Sequence, residues 1–208
     1  NGLTKHMEMM KQVDGPVLLH VITQKGEGYK FAEDAPNKYH GVGKFDPFTA
    51  LTSAGKLDFS KVFGDTLMQI ASENPKVVAV SAAMIEGTGL SEFSKIYPER
   101  TFDVPIAEQH AVTMAAGIAL QGLKPFVALY STFLQRAYDQ VVHDVCIQKA
   151  PIVLCVDRAG MVGNDGETHH GIFDISFLSH LPNMTILSPK DSEELRYMLR
   201  YAAEYNEG

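Results

Sequence analysis

Glu108 opens an apolar stretch, EQHAVTMAAGIAL, just after a short run, TFDV, that Pro105 ends. A carboxyl group at such a helix mouth can hydrogen-bond a ligand nitrogen in either protonation state. It could equally be a plain first-turn helix cap. Its company raises the interest. KGEGY (25–29), SAAMIEGTG (81–89), YSTFLQR (130–136) and DRAGMVGNDGETHHG (157–171) each follow an apolar run. In a parallel sheet the loops after the strands share one edge, where ligands bind. That edge would gather Glu108, Tyr29, Tyr130, Phe133, Arg136, Arg158, Asp165, His169 and His170. One acid with aromatics, arginines and histidines suits an anionic small molecule that carries a planar ring.

Each of these residues has a plainer use. The glycines could serve only tight turns. Phe133 could be core, Arg136 a solvated residue in a first helical turn, Asp165-Gly166 a simple turn and His169-His170 an exposed pair. Adjacent histidines are poorly placed for one metal and no HExxH occurs, so a metal site made by this chain alone is rejected. Gly87-Thr88-Gly89 lacks the GxGxxG fingerprint and follows an acid, against a dinucleotide phosphate loop.

The elements that must position these residues read as follows. Leu3, Met7, Met10 and Val13 have helical spacing. VLLHVIT (17–23) fits a strand buried on both faces. From 30 to 57 no period is convincing, and this stretch is taken as an interdomain linker. Beyond it strands and helices alternate: a helix from Asp58 or Ser60 to Asn74, a strand at 76–81, a helix at 90–97 and a strand at 101–104. A helix at 108–120, a strand at 125–130, a helix at 135–148 and a strand at 151–157 follow. A strand at 184–187 comes next, then a last helix capped by Ser188, with Pro189 at N1 and Asp191 at N3. Such alternation predicts an α/β fold, a doubly wound and mostly parallel sheet with helices on both faces. The domain expectation is a C-terminal remnant of another domain at 1–29, the linker at 30–57 and an α/β domain at 58–208. Both ends read as cut.

The 208 residues are 45% hydrophobic and 21% charged, as in an ordinary globular protein. The net charge of -7 and the lack of a basic run argue against nucleic-acid binding. No apolar stretch is long enough to span a bilayer and no signal peptide is seen, so membrane association is not expected and the cytoplasm is the default compartment. Cys146 and Cys155 fit neither a disulfide framework nor a zinc pattern, and Cys155, within PIVLCVD, reads as a small buried apolar residue.

IAEQHAV, YSTFLQRAYDQ, HDVCIQK, DRAG followed by DG and TH, HVITQKGEGY and YHGVGKFDP together closely resemble the 1-deoxy-D-xylulose-5-phosphate synthase family. These are thiamine diphosphate enzymes related to transketolase, and the likeness runs from about Gly15 to the end. It implies the pyrimidine-binding domain of the thiamine diphosphate fold at 58–208, preceded by the end of the diphosphate domain. It also implies thiamine diphosphate and Mg2+ as cofactors, the metal ligands lying in a domain this sequence lacks. The implied reaction is the decarboxylative condensation of pyruvate with D-glyceraldehyde 3-phosphate through a thiamine diphosphate enamine, feeding isoprenoid precursor, thiamine and pyridoxal synthesis. On this resemblance Glu108 would bond the aminopyrimidine ring, Phe133 would stack on it and Tyr29 would contact the cofactor. His40 and His169 would face the substrates, and Tyr130, Arg136, Arg158 and Asp165 would line their pocket. Members are homodimers. The alternatives are a transketolase-like or E1 β-type pyrimidine domain working with a separate chain, and a non-catalytic ligand-binding or assembly module.

Overall fold

The computed structural model describes residues 2–50 and 58–206. The 51–57 part of the expected linker and the final residues 207–208 lie outside the described residues. Contacts divide the chain into two compact units, Asn1–Ala54 and Gly55–Gly208.

The first unit holds helix α1 (Gly2–Met10) and the short helix α2 (Lys30–Asp34). It takes in both the 1–29 stretch and most of 30–57. The strand expected at Val17–Thr23 is not formed: among the described residues it has no ladder, and Leu18 and Ile22 are 93% and 86% exposed. An apolar run becomes a strand only beside a neighbour that takes its backbone hydrogen bonds, and among the described residues none runs beside this one. Order in the unit comes from aromatic packing instead. The Tyr29 ring meets Phe31, Tyr39 and Phe45 with centroids 5.5, 5.8 and 6.0 Å away.

The second unit is built on four parallel strands: β1 (Val77–Ser81), β2 (Thr101–Asp103), β3 (Lys124–Tyr130) and β4 (Val153–Asp157), in the order β2-β1-β3-β4. Side chains alternate across the strands, so Val80, Val127 and Leu129 enter one core while Val77, Ala79, Phe126 and Ala128 enter the other. Helix α5 (Glu108–Leu120) covers the first face, its Ala111, Ala115, Ala116 and Ala119 small enough to lie close to the strands. Helices α3 (Phe59–Glu73), α4 (Ser91–Ile96) and α8 (Ser192–Glu204) cover the second through Phe63, Leu67, Phe93 and Leu199. This is the doubly wound α/β arrangement that the alternation predicts. None of the helices among the described residues is long and apolar enough to cross a membrane.

Three local expectations are corrected. The single helix at 135–148 is a composite: after α6 (Ser131–Leu134) come a 3-10 turn (Gln135–Ala137), the short α7 (Tyr138–Gln140) and a π-helical stretch (Val141–Cys146). Among the described residues the 184–187 segment joins no sheet. Asn183, left-handed at φ 62°, directs its side-chain amide to the Cys146 carbonyl at 3.2 Å, and Ile186 and Leu187 stay well exposed. The last helix is capped by Asp191, not Ser188: its carboxylate accepts from the Glu193 and Glu194 amides, and Glu194 in turn accepts from the Lys190 amide at 2.7 Å. Asp191 stands directly before the free first-turn amides, which Ser188 lies too early to meet, and Glu194 reaches back to the amide just ahead of the cap.

Candidate functional site at the carboxyl edge of the sheet

The strand order reverses direction between β1 and β3. The chain leaves β1 toward β2 on one side, then returns past β1 to lay β3 on the other. The loops after those two strands therefore diverge and open a crevice at their carboxyl ends. The sequence-predicted residues of this unit collect here.

Glu108 is the first residue of α5 and only 2% exposed. Its side chain makes no cap bond; both carboxylate oxygens accept from Nη1 of Arg136, at 2.8 and 3.0 Å. Arg136 lies in the 3-10 turn after α6, and its guanidinium sits 5.0 Å from the Phe133 ring centre. Phe133 stacks on Tyr130 (5.7 Å, 16° between planes) and meets the His169 ring edge-on at 5.3 Å. Stacked and edge-to-face pairs of this kind each contribute about 0.5–1.5 kcal/mol beyond burial. The helical turn after β3 thus carries a cation and an aromatic face, and the cation meets the acid that starts α5.

Arg158 organises the other half. It follows β4 directly, with its backbone in the left-handed region at φ 55°. The guanidinium donates to the Gly87 carbonyl at 2.6 Å and to Ser60 Oγ at 3.2 Å, pairs with Asp157 at 3.1 Å and more loosely with Asp165 at 3.5 Å, and lies 4.4 Å over the Tyr130 ring. Burial pulls its pKa down, but Asp157, Tyr130 and Asp165 outweigh burial and leave it raised. Burial pushes the Tyr130 phenol up; Arg158 opposes this and the two aspartates add to it. Two glycines permit the close fit. A Cβ at Gly87 would collide with the Tyr130 hydroxyl, and one at Gly171 would collide with Ser131 and the Arg158 carbonyl.

The two histidines differ. His169 turns to Phe133 and bonds Thr168 Oγ1 through Nδ1 at 3.0 Å, whereas His170 Nδ1 accepts from the Val162 amide at 3.1 Å and ties down its own loop. Glu108, Tyr130, Phe133, Arg136, Arg158, Asp165 and His169 are therefore brought together. Tyr29 and His40 belong to the Asn1–Ala54 unit. There the Tyr29 hydroxyl donates to the Pro47 carbonyl at 2.9 Å, and His40 is exposed, its backbone amide bonded to the Asn37 carbonyl.

Sequence reasoning missed Ser60 and Asp157. Ser60 Oγ donates to Asp157 at 2.8 Å and both reach Arg158. Asp157 sits at the end of its strand, where a charge closing an apolar run was a usable signal. Ser60, weighed only as a cap, gave none. Among the described residues no group of three or more His, Cys, Asp or Glu stands ready to hold a metal ion.

Residues 55–208 match the family model described as transketolase, pyrimidine binding domain. The chain is 59% identical over 205 residues to the 1-deoxy-D-xylulose-5-phosphate synthase of Clostridium acetobutylicum, covering 98% of this chain and 33% of that protein. It is 56% identical over 207 residues to 1-deoxy-D-xylulose-5-phosphate synthase 1 of Geobacter sulfurreducens, covering 98% and 32%. The chain thus spans about a third (33%) of the length of the curated relatives it matches. Among solved structures, a split gene transketolase described as an inactive beta4 tetramer is similar at 31% identity and TM-score 0.65, over 74% of this chain and 50% of that one. A transketolase from Leishmania mexicana, at 20% identity and TM-score 0.66 over 76% and 25%, shares the fold.

Proposed function

The chain belongs to the transketolase pyrimidine-binding-domain family, and from that premise we propose that it is the pyrimidine-domain portion of a 1-deoxy-D-xylulose-5-phosphate synthase. Its reaction breaks the bond between the pyruvate carboxylate and carbonyl carbons, releases carbon dioxide and forms a new carbon–carbon bond to the aldehyde of D-glyceraldehyde 3-phosphate. The product would serve isoprenoid precursor, thiamine and pyridoxal synthesis. The observation that carries the reading is the buried Glu108 carboxylate at a helix start, linked through Arg136 to the Phe133 ring. Identity of 59% to a synthase, against 31% to a split gene transketolase, favours it over a two-chain transketolase-like enzyme.

The residues fit thiamine diphosphate by donor type: a carboxylate for a ring nitrogen and an aromatic face for an aminopyrimidine. When bound, the cofactor supplies the electron sink that stabilises a carbanion equivalent. Glu108 would share a proton with the ring nitrogen at the pyrimidine edge, donating it and taking it back. Phe133 gives the ring a surface to rest on. Arg158, Tyr130, Asp165 and Arg136 line the substrate side, where guanidinium groups suit a carboxylate and a phosphate. His169 faces the substrates. Tyr29 as a cofactor contact and His40 as a second substrate-facing histidine belong to the proposal on the strength of the KGEGY and YHGVGKFDP motifs. The Mg2+ ligands are assigned to a diphosphate domain outside this chain, the assembly to a homodimer and the compartment to the cytoplasm.

Substituting Glu108→Ala in the full-length enzyme tests the reading. Loss of a proton-transferring group removes roughly two to four powers of ten in rate, so turnover of pyruvate with D-glyceraldehyde 3-phosphate should vanish while circular dichroism and the unfolding midpoint stay near wild type. A folded Glu108→Ala enzyme of near-normal activity would sink the assignment.

A further inference from the structure

We infer that Arg136 is the positioning residue for the Glu108 carboxylate. The inference rests on the synthase reading and assigns Arg136 a task other than holding substrate. The backbone of α5 determines where the Glu108 side chain starts but not how its carboxylate plane is turned, because several torsions intervene. One nitrogen settles that. Nη1 of Arg136 donates to both oxygens, at 2.8 and 3.0 Å, so rotating the plane lengthens one bond or the other. A carboxylate offers about four acceptor sites; with one used on each oxygen, both oxygens keep a lone pair for a ligand nitrogen.

Arg136 is steadied in turn. Its guanidinium lies over the Phe133 ring, 5.0 Å from the ring centre, a cation–π contact. The cation therefore links the ring that a planar ligand would rest against with the acid that would hold its edge. The burial pattern agrees: Glu108 is 2% exposed and the Arg136 side chain 49%, so the acid is oriented from the solvent side by a reach of the arginine. Because one nitrogen spans both oxygens, a lysine ammonium that reached the carboxylate would reproduce part of the contact, without the planar group that lies over Phe133.

The test compares Arg136→Met and Arg136→Lys in the full-length enzyme by kcat and by KM for each substrate. It is paired with a urea double-mutant cycle of Arg136→Met and Glu108→Gln in this chain. A positioning role predicts a fall in kcat of about ten- to a hundredfold, each KM within about twofold of wild type, and partial rescue by lysine. A rise of about tenfold in either KM with kcat kept would make Arg136 a substrate ligand and overturn the inference, as would unchanged kinetics. If the wild-type enzyme forms no product, the synthase reading fails and the cycle decides. Coupling of about fivefold or more in the unfolding constant upholds the linkage, and independent effects overturn it.

Discussion

Arg158 at the carboxyl edge of the sheet and Lys124 at its amino edge are both cations withdrawn from water, and their surroundings drive them in opposite directions. Arg158 stands among Asp157, Asp165, Ser60 and the Gly87 carbonyl, and its pKa is raised. Lys124, buried at the start of β3, donates to the Tyr205 carbonyl, and burial pulls its pKa down. Desolvation opposes charge at both; only the carboxylates differ. The lesson is one of geometry. Charge is cheap to keep where strand ends and their loops converge, because acids from separate segments can be brought to one cation. The amino edge receives a carbonyl and the methylenes of the lysine stem.

The largest expected effect that would break this contrast comes from Arg158→Met. It leaves the Asp157 carboxylate with the Ser60 hydroxyl and the backbone amide of residue 158 but no cation, in a pair whose side chains are 26% and 19% exposed, and should destabilise the unit by about 2–3 kcal/mol in urea unfolding. A loss under about 0.5 kcal/mol would mean the network is ornament and the two edges are energetically alike. Next is Gly87→Ala, which drives a methyl group into the Tyr130 hydroxyl and should cost about 1–3 kcal/mol. Combining it with Tyr130→Phe should recover part of that loss, and no recovery would move the strain elsewhere.

Lys124 sharpens the comparison through pH. Its folded pKa is lowered from 10.5, so the unfolded chain binds more protons between the two values and stability must rise with pH across that window. The stability of wild type relative to Lys124→Met should therefore climb as pH approaches 10.5 from below and then level off. A flat difference would show that the lysine is effectively hydrated. The smallest effect belongs to His143, on the π-helical stretch away from both edges. A hydrogen bond to Asp144, then its charge, raises the His143 pKa from 6.5. The stabilisation it provides is full below 6.5 and fades as pH rises through the raised folded value. His143→Ala should thus weaken the chain slightly in mild acid and not at alkaline pH, as thermal melts at the two conditions would reveal.

Periodicity made β1 to β4, α3 and α5 legible in the sequence, since each depends on which face of a local element is apolar. Val17–Thr23 and Met184–Leu187 read the same way and failed, because a strand also needs a partner, and partners are not local. The site shows the same division. Glu108 and Phe133 stood out at the ends of recognisable elements, yet the bond of Arg136 to Glu108 spans 28 residues of sequence and that of Ser60 to Asp157 spans 97. No spacing rule reaches so far. Arg136 on its own reads as solvated, and only the turn after α6 shows what it holds.

The position of β4 at the rim of the sheet has a consequence for how the chain survives at high concentration. Among the described residues it bonds to β3 alone, and it is half-buried along its length, so there VLCVD offers an unpaired backbone edge with apolar side chains. Such a segment is a template for another chain to extend. Its flanks oppose that. Pro151 has no amide to donate, and Asp157 puts a negative charge at the far end, so an incoming strand finds a short register bounded by two gatekeepers. The aspartate that anchors Arg158 in the folded unit thereby also protects the chain before that unit has formed.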